Sequence, residues 1–237
     1  MDSIAQRLDS VRARITQAEQ QAGRSPGAVQ LLAVSKTRPI EDLRAALAAG
    51  QRCFGENYLQ DALPKIAALA DAAIEWHFIG PIQSNKTREI ADHFDWVHSV
   101  DRLKIARRLS EQRPADRPPL NLCLQVNTSG ETSKSGVMPD QVAGLARAIT
   151  ELPHLRLRGL MTIPAPAEEF EQQRKPFRRL RQLFEQLNAD GLALDTLSMG
   201  MTNDMEAAIA EGSTIVRIGT AIFGARAPNK GRGTRDE

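Results

Sequence analysis

The sequence predicts an α/β fold, a single (β/α)8 TIM barrel with an extra helix at its N-terminus. Three observations carry that expectation. After residue 28, short apolar segments alternate with helical ones eight times, the pattern of a parallel sheet with crossover helices. The chain has 237 residues, close to the usual size of such a barrel. No G-x-G-x-x-G follows the first strand, which weakens the competing doubly wound sheet.

The elements follow in order. Ile4, Leu8, Val11 and Ile15 recur at helical spacing, so residues 1–28 are read as a helix packed on the barrel, stopped by Gly23 and Pro26. The barrel then spans 29–226. Its strands are expected at 29–36, 52–57, 75–80, 96–101, 120–127, 155–163, 194–200 and 214–224. Helices are expected at 41–50, 59–70, 86–93, 102–112 and, long and charged, at 168–188. Residues 227–237 read as a flexible tail.

Composition excludes several classes. The net charge of +2 is small for this length, so neither a nucleic-acid nor a membrane surface is expected. The apolar and charged fractions, 41% and 25%, are those of a globular domain. The opening MDSIAQRLDS lacks an apolar signal core, and no run is long enough to span a bilayer. The reading is a cytoplasmic protein. Cys53 and Cys123 sit in apolar runs and read as reduced, buried thiols. His77, His93, His98 and His154 show no zinc-type spacing, so no metal is inferred.

In a parallel barrel, function gathers at the C-terminal ends of the strands. Lys36 ends the first apolar run there. Partial desolvation disfavours its ammonium form and makes the neutral nucleophile accessible, as Schiff-base chemistry requires. SMGMTND (198–204) precedes a helical stretch, and Gly219 and Thr220 follow the eighth strand. Glycine-rich turns at helix starts favour a phosphate, and the loops after strands seven and eight are the usual phosphate site of this architecture. Together with Lys36 they point to a phosphorylated carbonyl cofactor.

The motifs AVSK (33–36), FGEN (54–57), HFIGPIQSNK (77–86), QVNTSGETSKSG (125–136), GLMTI (159–163), SMGMTNDMEAAI (198–209) and VRIGTAIFGAR (216–226) resemble the pyridoxal-phosphate homeostasis protein family. That family is similar to the N-terminal barrel of alanine racemase. The resemblance runs from about residue 30 to 226. It implies a fold-type III barrel holding pyridoxal 5′-phosphate (PLP) as a Schiff base on Lys36. By the same resemblance, Arg217, Gly219 and Thr220 stand where the ring nitrogen and phosphate are held. Ser198 and Thr202 match further phosphate-side positions, and Asn57 a position near the ring. An arginine can donate to the ring nitrogen but not accept from it, which makes the ring a weak electron sink.

The departures bear on activity. Two-base racemization needs an acid/base group on each face of the cofactor. The only tyrosine is Tyr58, and Ile163 stands where racemases have a histidine after the sixth strand. The expectation is a PLP-binding homeostasis protein that stores, buffers or delivers the vitamer. It is expected to be a monomer, with PLP-dependent apo-enzymes as possible recipients. The alternatives are an amino-acid racemase, or weak α-proton exchange enzyme, and a phosphate-sugar barrel enzyme. Lys134, after the fifth strand, is a candidate second aldehyde acceptor during transfer.

Overall fold

The computed structural model describes residues 2–130 and 135–225. Lys134 and the tail at 227–237 lie outside the described residues. Eight strands, β1 (Gln30–Val34), β2 (Cys53–Glu56), β3 (Glu75–Phe78), β4 (Trp96–Val100), β5 (Leu120–Gln125), β6 (Leu155–Met161), β7 (Thr196–Ser198) and β8 (Ile215–Ile218), form a closed barrel. All neighbours are parallel, and β8 closes on β1 with Leu32 opposite Arg217. The helices are α1 (Ile4–Gln21), α2 (Ile40–Ala48), α3 (Leu59–Ala68), α4 (Thr87–His93), α5 (Leu103–Gln112), α6 (Val142–Thr150), α7 (Phe170–Ala189), α8 (Met205–Ala210) and α9 (Thr220–Phe223). No helix among the described residues is long and apolar enough to cross a membrane.

Strand alternation separates two interiors. Outward residues such as Leu31, Ala33, Phe54, Trp76, Phe78, Val97, Leu122, Leu124, Leu160, Leu197, Val216 and Ile218 join one apolar layer with the helices. Burying the Leu, Ile, Val and Phe side chains among them stabilises by about 1.5–3 kcal/mol each. Inward residues fill the lumen, which is unusually polar. His77, His98, Ser198 and Arg217 are buried there beside a small separate cluster of Trp96, Cys123 and Met161. Lumens of this fold are ordinarily packed with branched apolar side chains.

Several strands are shorter than expected, β5, β6 and β7 among them, and two of the departures bear on the site. The run 214–224 is strand only as far as Ile218 and then turns into α9. An apolar run does not by itself separate strand from buried helix. The first strand stops at Val34, so Lys36 stands in the turn beyond it. Thr37 in that turn has φ 62, the left-handed region that β-branched residues avoid.

Helix α1 begins in a capping box, with Ser3 and Gln6 each accepting from the other's backbone N–H. It packs against α2, α8 and α9. Arg14 is 2.7 Å from Glu206 and reaches the Thr202 carbonyl at 3.3 Å. Arg24 donates to the carbonyls of Ser213 at 2.6 Å and Ile209 at 3.2 Å. The N-terminal helix is thus fastened to the helix that follows β7.

Candidate functional site

A cavity of about 600 Å³ opens at the C-terminal mouth of the barrel, within the range of small-molecule sites. Lys36, Asn57, Thr202, Arg217, Gly219 and Thr220 all line it. Six of the seven expected site residues therefore meet at one place. Ser198 does not line the cavity: it is fully buried in the lumen, and its hydroxyl is engaged by Arg217 at 2.9 Å and His98 at 2.7 Å. The structure thus places Ser198, expected on the phosphate side, beneath Arg217 and not at the cavity wall, bonded on both sides.

Lys36 is placed by the strand before it and by a buried polar knot. The Ser35 hydroxyl donates to Glu56 at 2.6 Å. The Lys65 amine donates to the same carboxylate and to the Ser35 carbonyl, each at 2.8 Å. Burial pushes the Glu56 carboxyl up, opposed by Lys65 and Ser35. Glu56 thus sits outside the barrel, holding the backbone next to Lys36, and is not part of the cavity wall.

Asn57 is positioned by the absence of a side chain on its neighbour. A Cβ on Gly80 would come within 2.0 Å of the Asn57 carbonyl oxygen, so only glycine lets the two segments approach. The Asn57 Oδ1 is buried without a hydrogen-bond partner among the described residues. An amide left open at a cavity wall is equipped to bond a ligand. Gly219 has the same close-approach character: a Cβ there would lie 3.2 Å from the Val34 carbonyl oxygen. The first amides of α9, at Thr220 and Ala221, have no intrahelical acceptor.

Arg217 is 4% exposed. It donates to the carbonyls of Ser198 at 2.7 Å and Thr162 at 2.8 Å, and to the Ser198 hydroxyl. Burial draws its pKa down to about 10, with Asp204 opposing, so the guanidinium stays charged at neutral pH. Three donated bonds fix the plane of the fork at the cavity floor. Burial raises the Asp204 carboxyl, while the Met201 backbone N–H, which it accepts at 2.6 Å, opposes the rise.

Beneath Arg217 a directed chain of hydrogen bonds runs down the lumen. Ser198 meets His98 Nδ1 at 2.7 Å, His98 Nε2 meets His77 Nδ1 at 2.9 Å, and His77 Nε2 meets Glu75 Oε1 at 2.8 Å. Burial holds both imidazoles below their usual pKa, so they are neutral. The hydrogen bond from His77 brings Glu75 down to about 2, keeping it a carboxylate that can only accept. One tautomer set follows: His77 and His98 both carry the proton on Nε2, Ser198 donates to His98, and Arg217 donates to Ser198. Zinc-type spacing is a poor guide to this chain. Its visible signal is strand alternation, which sets Glu75 with His77 on one face of β3 and His98 on the inner face of β4.

The comparisons agree with the geometry. Residues 6–227 match the family model "Alanine racemase, N-terminal domain". A pyridoxal phosphate homeostasis protein of Pseudomonas aeruginosa is 65% identical over 226 residues, covering 95% of this chain and 97% of the relative. The structure of PipY from Synechococcus elongatus PCC7942, with PLP bound, superposes with a TM-score of 0.83 at 38% identity, covering 94% of this chain and 100% of that one. Alanine racemase from Corynebacterium glutamicum shares the fold, with a TM-score of 0.69 at 19% identity over 92% of this chain and 62% of that one. By sequence and by architecture alike, the chain belongs to the pyridoxal phosphate homeostasis protein family, on the barrel of the alanine racemase N-terminal domain.

Proposed function

We propose that the protein binds PLP as a Schiff base on Lys36 and serves PLP homeostasis by holding and releasing it. The observation that carries this reading is the convergence of Lys36, Asn57, Thr202, Arg217, Gly219 and Thr220 on one cavity. The donor set fits the group. The Gly219–Thr220 turn and Thr202 offer N–H and O–H donors for a phosphate. Asn57 carries an open amide, and Arg217 a fixed donor for the ring nitrogen. Bound PLP supplies an aldehyde that condenses reversibly with an amine. The Lys36 amine is the acceptor, half-buried at the wall.

The named relatives support homeostasis over turnover, and an arginine at the ring nitrogen disfavours carbanion chemistry. The reading further takes the protein as a cytoplasmic monomer whose cofactor passes to apo-enzymes. The test uses purified protein. Visible absorbance after incubation with PLP, borohydride reduction, and peptide mapping should place the label on Lys36, with Lys36→Ala colourless. Label on another lysine, or no colour in the parent protein, would overturn the reading. Transfer to an apo-enzyme and absence of solvent deuterium at Cα of L-alanine separate carriage from racemase chemistry.

A further inference from the structure

The lower end of the lumen holds the only cluster of three metal-ligating side chains among the described residues: Cys53, Glu75 and His77. The register of the sheet creates it. Cys53 and Glu75 are direct partners across β2 and β3, and His77 lies two residues on from Glu75, on the same inner face. We propose that Cys53 Sγ, Glu75 Oε1 and His77 Nε2 bind a divalent transition-metal ion of the zinc class, with an open fourth position beside Gln30. The site is at the opposite end of the barrel from the cavity and does not rest on the cofactor reading.

The geometry is close to what such an ion takes. The three donor atoms lie within 4.8 Å of one another. The thiol sulfur is 3.6 Å from Glu75 Oε1, and the imidazole nitrogen is 2.8 Å from it. Tetrahedral bonds of about 2.3 Å to sulfur and about 2.0–2.2 Å to nitrogen and oxygen put sulfur and oxygen about 3.5 Å apart, and nitrogen and oxygen about 3.3 Å apart. The sulfur–oxygen edge is already in place, and the nitrogen–oxygen edge must open by about 0.5 Å. The exposed Gln30 amide, 2.9 Å from the sulfur and 3.2 Å from Glu75, stands where it can hold a water in the fourth position. The Glu75 side chain is 40% exposed, which gives the ion access from solvent.

The donor chemistry selects the ion. A thiolate with an imidazole suits a borderline-soft cation, and a hard calcium or magnesium ion would refuse the sulfur. One thiolate and one carboxylate neutralise the two positive charges, so no net charge is left half-buried. The support behind His77 is also present. A metal-bound imidazole almost always bonds its second nitrogen to a fixed partner, and here that nitrogen meets His98 while the ring stacks on Trp96, with 5.5 Å between centroids.

The proton balance is explicit. The thiol proton leaves for water as the metal–sulfur bond forms. The proton on His77 Nε2 moves to Nδ1, which then donates to His98 Nε2. His98 in turn carries its proton on Nδ1 and donates to Ser198, which keeps its own hydroxyl proton and turns it away from His98. Metal at one end of the lumen thereby reverses both imidazole tautomers up to the hydroxyl that Arg217 contacts.

The test takes full-length, untagged protein stripped with a chelator, without PLP. Zinc titrated against a chromophoric chelator should show one ion bound per chain. Cobalt in its place should give a thiolate-to-cobalt charge-transfer band. Cys53→Ser should abolish that band and, like Glu75→Gln, weaken zinc by about 100-fold or more, beyond the 10–100-fold that outer partners contribute. Cys123→Ser should change nothing. Nitrogen-15 shifts of His77 and His98 should exchange between Nδ1 and Nε2 on loading. No competition with the chelator, a cobalt spectrum without the sulfur band, or equal affinity in both variants (an adventitious ion only) would overturn the proposal. The cobalt spectrum decides on the parent protein alone, even if a variant fails to fold.

Discussion

The Lys65 amine lies 2.8 Å from the Glu56 carboxylate, with 7% and 0% of the two side chains exposed, and donates also to the carbonyl of Ser35. The pair sits directly behind the backbone that presents Lys36. Removing one member of a buried pair leaves the other charge without compensation, at a cost of about 3–5 kcal/mol. Lys65→Met is expected to destabilise by that amount, read as the urea midpoint at constant slope. The double variant Lys65→Met with Glu56→Gln should recover most of the loss. Equal stability of the single variant and the parent would remove this account of how Lys36 is held.

Thr37 holds φ 62 in the turn after Lys36. A non-glycine residue there carries about 1–3 kcal/mol of strain, while glycine adds about 0.5–1 kcal/mol of unfolded-chain entropy. Thr37→Gly should therefore stabilise by about 1 kcal/mol in thermal unfolding. Thr37→Ala retains the Cβ and should gain less. If glycine destabilises, the strained turn is not intrinsic to the chain.

Gly80→Ala would drive a methyl group against the Asn57 backbone, 2.0 Å from its carbonyl oxygen. Overpacking of this kind costs about 1–3 kcal/mol. The displaced segment carries Asn57, so PLP should also dissociate faster from the variant than from the parent. Stopped-flow trapping of released vitamer would show it, and unchanged release would detach Asn57 from the site.

The lumen histidines set an acid limit. Burial lowers the pKa of both His77 and His98, so below the unfolded value of about 6.5 the unfolded chain binds more protons. Stability then rises with pH through that region and falls as pH drops below it, by up to about 1.4 kcal/mol per pH unit for each histidine. His98→Asn should flatten that slope between pH 6.5 and 5, whatever its effect on absolute stability. Denaturant midpoints across that window measure it.

Much of this was legible in the residues. Eight apolar runs announced the barrel, because each strand is buried on both faces. The mouth residues were legible because strand ends are the one place where polar residues interrupt those runs. Lys36 and the turns at 198–204 and 219–220 could be read that way, while Asn57, Thr202 and the role of Arg217 came from the family resemblance. Ser198 could not be placed, since one position along a strand turns a side chain from rim to lumen. The Glu75–His77–His98 chain escaped notice for a related reason. Glu75 and His77 are two residues apart, but His98 is 21 residues further on, and only the packing of β3 beside β4 brings it to His77. Glu56 and Lys65, nine residues apart, meet across a strand–helix packing that periodicity does not specify.

Helix α1 lends no atom to the cavity wall, yet Arg14 grips both Glu206 and the carbonyl of Thr202. A shortened protein beginning at the first strand would lose the brace under one bank of the ligand bowl. It would also lose Leu8, Val11 and Ile15, which α1 buries in the main core. What reads along the chain as a leading appendage is, in three dimensions, part of the vessel's foundation.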